Sequence, residues 1–250
     1  IVFLAEPVRL IYSSLTPSTC DTSQQAAEAM KQNDSLSRLP GATLILSVLC
    51  ALAFAGDSPA SDLERERRLA EQTVDAIFDG EPLMLKAGGH EFLGIYTRAE
   101  IEPERGTVII LHGRGTHPDW EQVAGPLRKQ LPAHGWSTLS LQMPVLDKDA
   151  SYYDYMEIMP EAPPRIEAAL AYLRELGTDR IILAAHSCGV HMSMAWIRQH
   201  GDSGIDAYIG IGMGATDYRQ PMLEPFPFDR MRVPLLNIYG EADYPAVQRQ

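Results

Sequence analysis

The pentapeptide Ala185-His186-Ser187-Cys188-Gly189 directly follows the apolar run Arg180-Ile181-Ile182-Leu183-Ala184. A small-x-Ser-x-Gly pattern at a strand end makes a tight strand-to-helix turn, with the serine hydroxyl exposed above a parallel sheet. A hydroxyl held there can attack a carbonyl carbon if a base takes its proton and nearby donors receive the charge formed on oxygen. The pattern is short and recurs by chance, so context decides its weight. Here residues 190–199 read as the helix that such a turn requires.

Two further stretches could complete the chemistry. His112-Gly113-Arg114-Gly115 leaves the apolar run 107–111 and can aim a backbone N–H at the same point as the N–H of Cys188. Two such donors stabilise a tetrahedral oxyanion, and losing one typically costs roughly 3 kcal/mol. Glycine on either side of Arg114 permits close backbone approach; the plain alternative is a glycine turn without a ligand. Leu235-Leu236-Asn237-Ile238-Tyr239-Gly240-Glu241-Ala242-Asp243 reads as a strand ending in Gly-x-x-Asp, which sets a carboxylate where it can orient a histidine. Asp217, after the preceding strand, competes for that role, because the pattern fixes only the order serine, acid, histidine. Either aspartate could equally be a solvated turn residue, and Glu241 is expected to point outward.

These residues need a scaffold. Residues 81–86 and 91–98 flank Ala87-Gly88-Gly89-His90 and read as an antiparallel hairpin. Residues 107–111 read as a strand buried on both faces, and further strands are expected at 136–142, 180–185, 207–213 and 233–239. Ile166, Ala169, Leu170, Leu173 and Leu176 recur at helical spacing, with Gly177 as the stop. Strands alternating with helices predict the α/β class, with a mostly parallel, doubly wound sheet covered on both sides. Pro126 is expected to kink or split the helix after 107–111. Ser61-Asp62-Leu63-Glu64 reads as a capping box opening a charged surface helix that runs to Phe78.

Together, His112-Gly113-Arg114-Gly115, Ala185-His186-Ser187-Cys188-Gly189 and Gly240-Glu241-Ala242-Asp243 resemble the α/β-hydrolase superfamily, over roughly residues 80–250. The stretch 111–144, with His117-Pro118-Asp119-Trp120 and Gly135-Trp136-Ser137-Thr138-Leu139-Ser140-Leu141-Gln142-Met143-Pro144, is similar to a bacterial family of uncharacterised, signal-peptide-bearing members. The resemblance implies the α/β-hydrolase fold, Ser187 as nucleophile, Asp243 as acid, and the N–H groups of Arg114 and Cys188 as oxyanion hole. It implies no metal and no organic cofactor.

The departure is the base. In this superfamily a histidine should lie about 25–40 residues beyond Asp243, after one more strand-and-helix unit. Only Tyr244 to Gln250 follow. The expectation is an α/β-hydrolase domain over 81–250 whose last strand and helix are missing from the chain. Seven histidines are present. His186 adjoins the nucleophile, where neighbours in the turn diverge, and His191, one helical turn on, is expected to line the helix. His112 reads as structural. His117 could reach the pocket rim, though 116–119 also reads as a helix start with Pro118 in its first turn. None is favoured as base, because geometry must come first. An unassisted serine hydroxyl is a weak nucleophile and a missing strand bares a sheet edge, so this chain is expected to be nearly inactive and poorly soluble.

Composition bounds the partners. The 250 residues, 45% hydrophobic, suffice for one globular domain with appendages. A net charge of -12 argues against nucleic acid and anionic membrane surfaces. Cys20, Cys50 and Cys188 show neither metal spacing nor an even-numbered framework, and Cys20 and Cys50 lie in a region expected to be absent from the mature protein, which leaves Cys188 alone and no structural disulfide. Lys31 and Arg38 precede the apolar run 42–55, which is shorter than the roughly 20 residues of a comfortable bilayer span. With the exit Ala53-Phe54-Ala55, residues 30–55 read as a cleaved signal peptide, giving a periplasmic or secreted product without stable membrane insertion. Leu49 is too large to precede a lipidated Cys50. Residues 1–29 read as upstream translation from a misplaced start, and 56–80 as an N-terminal helical segment.

The residues 143–164 carry Tyr152, Tyr153, Tyr155 and Met156 in what reads as a loop facing the ligand crevice. They could line a pocket or simply anchor the loop. The segment 217–232 is short for a lid, which suits an open site for small or medium esters. The leading expectation is an exported serine hydrolase of small-molecule esters working through an acyl-enzyme. The alternative is a non-catalytic binding protein of the cell envelope on the same fold.

Overall fold

The computed structural model describes residues 61–249 and, by backbone, residues 8–13. The segment expected to be a signal peptide lies outside the described residues. So does most of 1–29; of these only β1 (Val8–Ser13) is described.

β2 (Glu81–Ala87) and β3 (His90–Thr97) form the expected hairpin, and Gly88 and Gly89 supply its turn with φ of 59° and 83°. Glycine adopts two successive positive φ values without strain. β4 (Thr107–Leu111) and β5 (Ser137–Leu141) are buried along their whole length. β6 (Ile181–His186), β7 (Ala207–Ile211) and β8 (Leu235–Gly240) complete a sheet ordered β1-β8-β7-β6-β4-β5-β3-β2. The five strands from β5 to β8 run parallel, while β3 joins β5 and β1 joins β8 antiparallel. The bare edge expected at β8 is therefore not found: backbone pairing with β1, from Val8 opposite Gly240 to Ser13 opposite Leu235, covers it.

Helices cover both faces. Along β4, Ile109 and Leu111 join the larger core with Ile166, Leu170 and Trp196, from α4 (Ala162–Glu175) and α5 (Cys188–His200). The alternate residues Val108 and Ile110 pack with Ala124 and Leu127 of α2 (Ala124–Gln130) on the other face. This period-2 division is what a doubly wound sheet requires of a central strand. The strand order, the helices on both faces and the sharp turn after β6 are those of the α/β-hydrolase fold.

Several local expectations are corrected. Asp62, not Ser61, caps α1 (Leu63–Ala76): its Oδ1 accepts the N–H of Arg65 at 2.8 Å. Ser61 instead gives its N–H to Glu161, and Glu64 pairs with Arg68. Nor is α1 only a surface helix, because Glu66 is buried and its carboxylate takes both terminal nitrogens of buried Arg165 at 2.8 and 3.1 Å. Residues 116–119 form turns rather than a helix start. Pro126 kinks nothing, since α2 begins only at Ala124 and places the proline in a first turn that needs no N–H. Residues 143–164 are not all loop: Ser151 and Asp154 form a reciprocal capping box that opens α3 (Tyr152–Ile158). Leu176, counted on the apolar face of α4, is half exposed at its C-cap.

Candidate active site

β6 delivers Ser187 at its end, and α5 begins with the next residue. Ser187 sits at φ 51°, ψ -113°, a conformation that a residue with a side chain adopts at a cost of about 1–3 kcal/mol. Its neighbours hold it there. Its N–H donates to the carbonyl of Ile211 at 2.9 Å, and its carbonyl accepts from Val190 at 3.0 Å.

Two glycines make the turn possible. A Cβ on Gly189 would stand 2.6 Å from the carbonyl oxygen of His112, so the exit of β4 runs directly against the start of α5. A Cβ on Gly113 would stand 3.0 Å from Nδ1 of His186 and 3.6 Å from Cβ of Ser187. The loop carrying Arg114 is thus packed against the serine. The N–H of Cys188 heads α5, where a first turn has no intrahelical partner for its donors. The Cys188 thiol is buried, which pushes its pKa up to about 12 and leaves it a packing group.

The recess above Ser187 has a volume of about 180 Å³ and is lined by Arg114, Tyr152, Cys188, Asp217 and Tyr244 among others. Arg114 spans its mouth to Asp217. Asp217 also accepts the N–H of Tyr152 at 2.6 Å, so its carboxylate is committed to three donors. The hydrogen bond from Arg114 holds that carboxyl below the usual range. Asp243 lies half-buried past the end of β8, with Oδ1 accepting the N–H of Tyr244 at 2.8 Å. Its Oδ2 faces Gly212, and its charge acts on His186, opposing in part the burial that lowers that imidazole's pKa. Asp243 does not line the recess itself.

Among the described residues no histidine hydrogen-bonds to the Ser187 hydroxyl. His112 is buried, with Nε2 accepting the N–H of Met143 at 2.9 Å and Nδ1 2.7 Å from the carbonyl of Gly113. It braces the loop after β4 against the one after β5, and burial lowers its pKa to about 3. His191 lies 2.9 Å from the carbonyl of Ala215 and packs on Tyr152 and Phe226. His117 reaches Thr73 of α1 and the edge of Trp120, and His90 lies against Arg165. His200 stacks on Trp196, while His134 is exposed. No group of three metal-ligating side chains occurs among the described residues, and no helix there is long and apolar enough to cross a membrane.

Of the loop aromatics, Tyr152 lines the recess whereas Tyr155 is fully buried and its hydroxyl oxygen accepts the N–H of Leu146. The buried Glu66–Arg165 pair that supports the exit of β5 had no sequence signal, because Arg165 reads as one polar residue on an apolar helix. The Arg114 side chain likewise carries no local signal, its partner lying 103 residues away.

Solved structures that align with this chain include Est1E from Butyrivibrio proteoclasticus, at 21% identity and a TM-score of 0.41, covering 54% of this chain and 51% of that one. XC6422 from Xanthomonas campestris, described as an α/β serine hydrolase without lid, aligns at 16% identity and a TM-score of 0.44, over 58% and 67% of the two chains. A cold-adapted esterase from an Arctic intertidal metagenomic library aligns at 21% identity and a TM-score of 0.45, over 53% and 60%. The match spans about half the length of Est1E. No curated protein matches the sequence. Residues 8–164, more than half of the chain, match the model of DUF3530, described as a protein of unknown function, and the chain belongs to that family.

Proposed function

We propose that this chain is the core of an exported serine hydrolase that cleaves small-molecule carboxylic esters or related acyl bonds. The observation that carries the reading is the strained backbone of Ser187, held at φ 51° between β6 and α5 with the Arg114 loop against it. A strained non-glycine residue persists where the surrounding structure over-determines it, and such positions cluster at active sites.

In the proposed reaction Oγ of Ser187 attacks the ester carbonyl carbon while a histidine base takes its proton. The carbonyl oxygen becomes an oxyanion received by the N–H groups of Arg114 and Cys188. The bond to the alcohol oxygen then breaks, and the alcohol leaves with the proton returned by the base. Water repeats the sequence on the acyl-enzyme, releasing the acid and restoring Ser187. Asp243 is assigned as the acid that orients the base, because Asp217 is already committed to Arg114 and Tyr152. The base is a histidine by role alone, since none among the described residues hydrogen-bonds to the Ser187 hydroxyl. Export is proposed from the sequence pattern of residues 30–55, and cleavage there would release β1 and leave β8 as the edge strand.

The test is labelling of the full-length protein with a fluorophosphonate probe, read by mass spectrometry on the Ser187 peptide. Labelling lost in Ser187→Ala is expected. An unlabelled Ser187 in folded protein would remove the hydrolase reading and favour a binding role for the recess.

A further inference from the structure

We propose that the Tyr152 side chain is the partition that sets which acyl chain lengths fit at Ser187; this rests on the reading of Ser187 as nucleophile. Cys188, His191, Ala195 and Arg198 recur at steps of three and four and so share one face of α5. Two cavities lie along that face. The first is the recess of about 180 Å³ at Ser187. The second, of about 250 Å³, is lined by Met156, Met159, His191, Met194 and Phe226 and reaches the exposed Arg198–Glu224 ion pair. Tyr152 is the one described residue that lines both.

The partition is firmly held. Tyr152 is 3% exposed, its ring lies 4.9 Å from that of His191, and its N–H is fixed by Asp217. The second cavity suits a hydrocarbon chain, because thioethers and aromatic faces adapt to apolar shapes without asking for a hydrogen bond. The substrate's orientation follows from the proton transfer. The leaving alcohol must be next to the base, hence on the Asp243 side, so the acyl chain runs the other way, along α5. The first cavity alone has the volume of about six water molecules, room for an acyl group of about two to four carbons. Removing the tyrosine ring joins the cavities and admits a chain of about eight.

The test uses the full-length protein and p-nitrophenyl acetate, butyrate and octanoate. The native enzyme is expected to favour butyrate over octanoate in kcat/KM by at least about tenfold, the scale on which apolar pockets discriminate. Tyr152→Ala should raise the octanoate-to-butyrate ratio by about tenfold or more. Adding Ala195→Phe, which refills the second cavity, should cancel that gain. Tyr152→Leu, which keeps more of the core, gives the same comparison should the alanine variant fail to fold. A native preference for octanoate, or a ratio unmoved in every folded Tyr152 variant, overturns the proposal. Calorimetric titration with octanoate in the Ser187→Ala background separates the two readings. Tighter binding on adding Tyr152→Ala supports the partition even if no ester is hydrolysed, which would count against the hydrolase reading alone. Unchanged binding counts against the partition.

Discussion

Arg114 and Asp217 form a two-pronged ion pair across the mouth of the Ser187 recess, with Nη2 2.7 Å from Oδ1 and Nη1 2.5 Å from Oδ2. The pair ties the loop after β4 to the loop after β7, and through the N–H of Tyr152 it also holds the start of α3. Arg114 thus has two separable parts: a backbone N–H proposed to receive the oxyanion, and a guanidinium that fixes the loop presenting it. Asp217→Asn should lower kcat for butyrate by about 10- to 100-fold while changing KM little, since misplacing a transition-state donor by even 1 Å is costly. Steady-state kinetics check this, and a kcat equal to the parent's would detach Asp217 from the site. Because Arg114 depresses the Asp217 carboxyl below its ordinary 3.8, the pair's contribution to stability is present above that value and is lost as pH falls through the depressed one.

Most of this architecture was legible because strands buried on both faces leave a continuous apolar signature. Thr107–Leu111 lies where its β-rich run predicts, and the turn after Ile181–His186 follows from small residues that tertiary packing demands. Gly189 illustrates the link: the glycine is visible in the sequence, but its reason, the carbonyl of His112 at 2.6 Å from any added Cβ, is visible only in space. What was not legible depends on partners far along the chain. Nothing local distinguishes Glu66 from the solvated acids around it on α1, yet it is buried against Arg165, 99 residues on. Capping failed for a similar reason: Glu161, 100 residues away, takes the N–H of Ser61, and Asp62 becomes the cap.

The Gly189 contact gives a direct stability prediction. Gly189→Ala places a methyl group against two backbone carbonyls, those of His112 at 2.6 Å and Leu111 at 2.9 Å. Backbone cannot yield as a side-chain tip can, so the variant should lose about 3 kcal/mol or more, the upper end of overpacking costs. Urea unfolding measures it. A loss below 1 kcal/mol, on the order of an ordinary surface change, would mean that α5 can shift away from β4.

Glu66 and Arg165 make the corresponding prediction for the exit of β5. Both side chains are nearly inaccessible, at 6% and 0% exposure, and Arg165 also donates to the carbonyl of Gln142 at 3.0 Å. Removing one partner leaves an uncompensated buried charge, so Glu66→Ala should destabilise by about 3–5 kcal/mol. The paired replacement Glu66→Leu with Arg165→Met removes both charges and should recover much of that loss. A double variant no more stable than Glu66→Ala would show that the pair stabilises the fold through its hydrogen bonds to the β5 exit rather than by mutual neutralisation.

His112 should make the fold sensitive to mild acid. Burial lowers its pKa from 6.5 to about 3, opposed in part by its hydrogen bond to Gly113. The unfolded chain therefore binds a proton at this position below pH 6.5 while the folded protein does not. The sign follows: stability falls as pH drops from 6.5 towards 3, by up to about 1.4 kcal/mol per pH unit. His112→Gln keeps an acceptor for the N–H of Met143 but cannot titrate, so its stability should fall less steeply over the same range. His186 and His191 are also lowered by burial and add slopes of the same sign, which the comparison between variant and parent cancels. Urea midpoints at pH 7 and pH 4.5 decide the matter. Parallel losses in the two proteins would mean that His112 takes up its proton without unfolding, and that its brace between the β4 and β5 loops survives the charge.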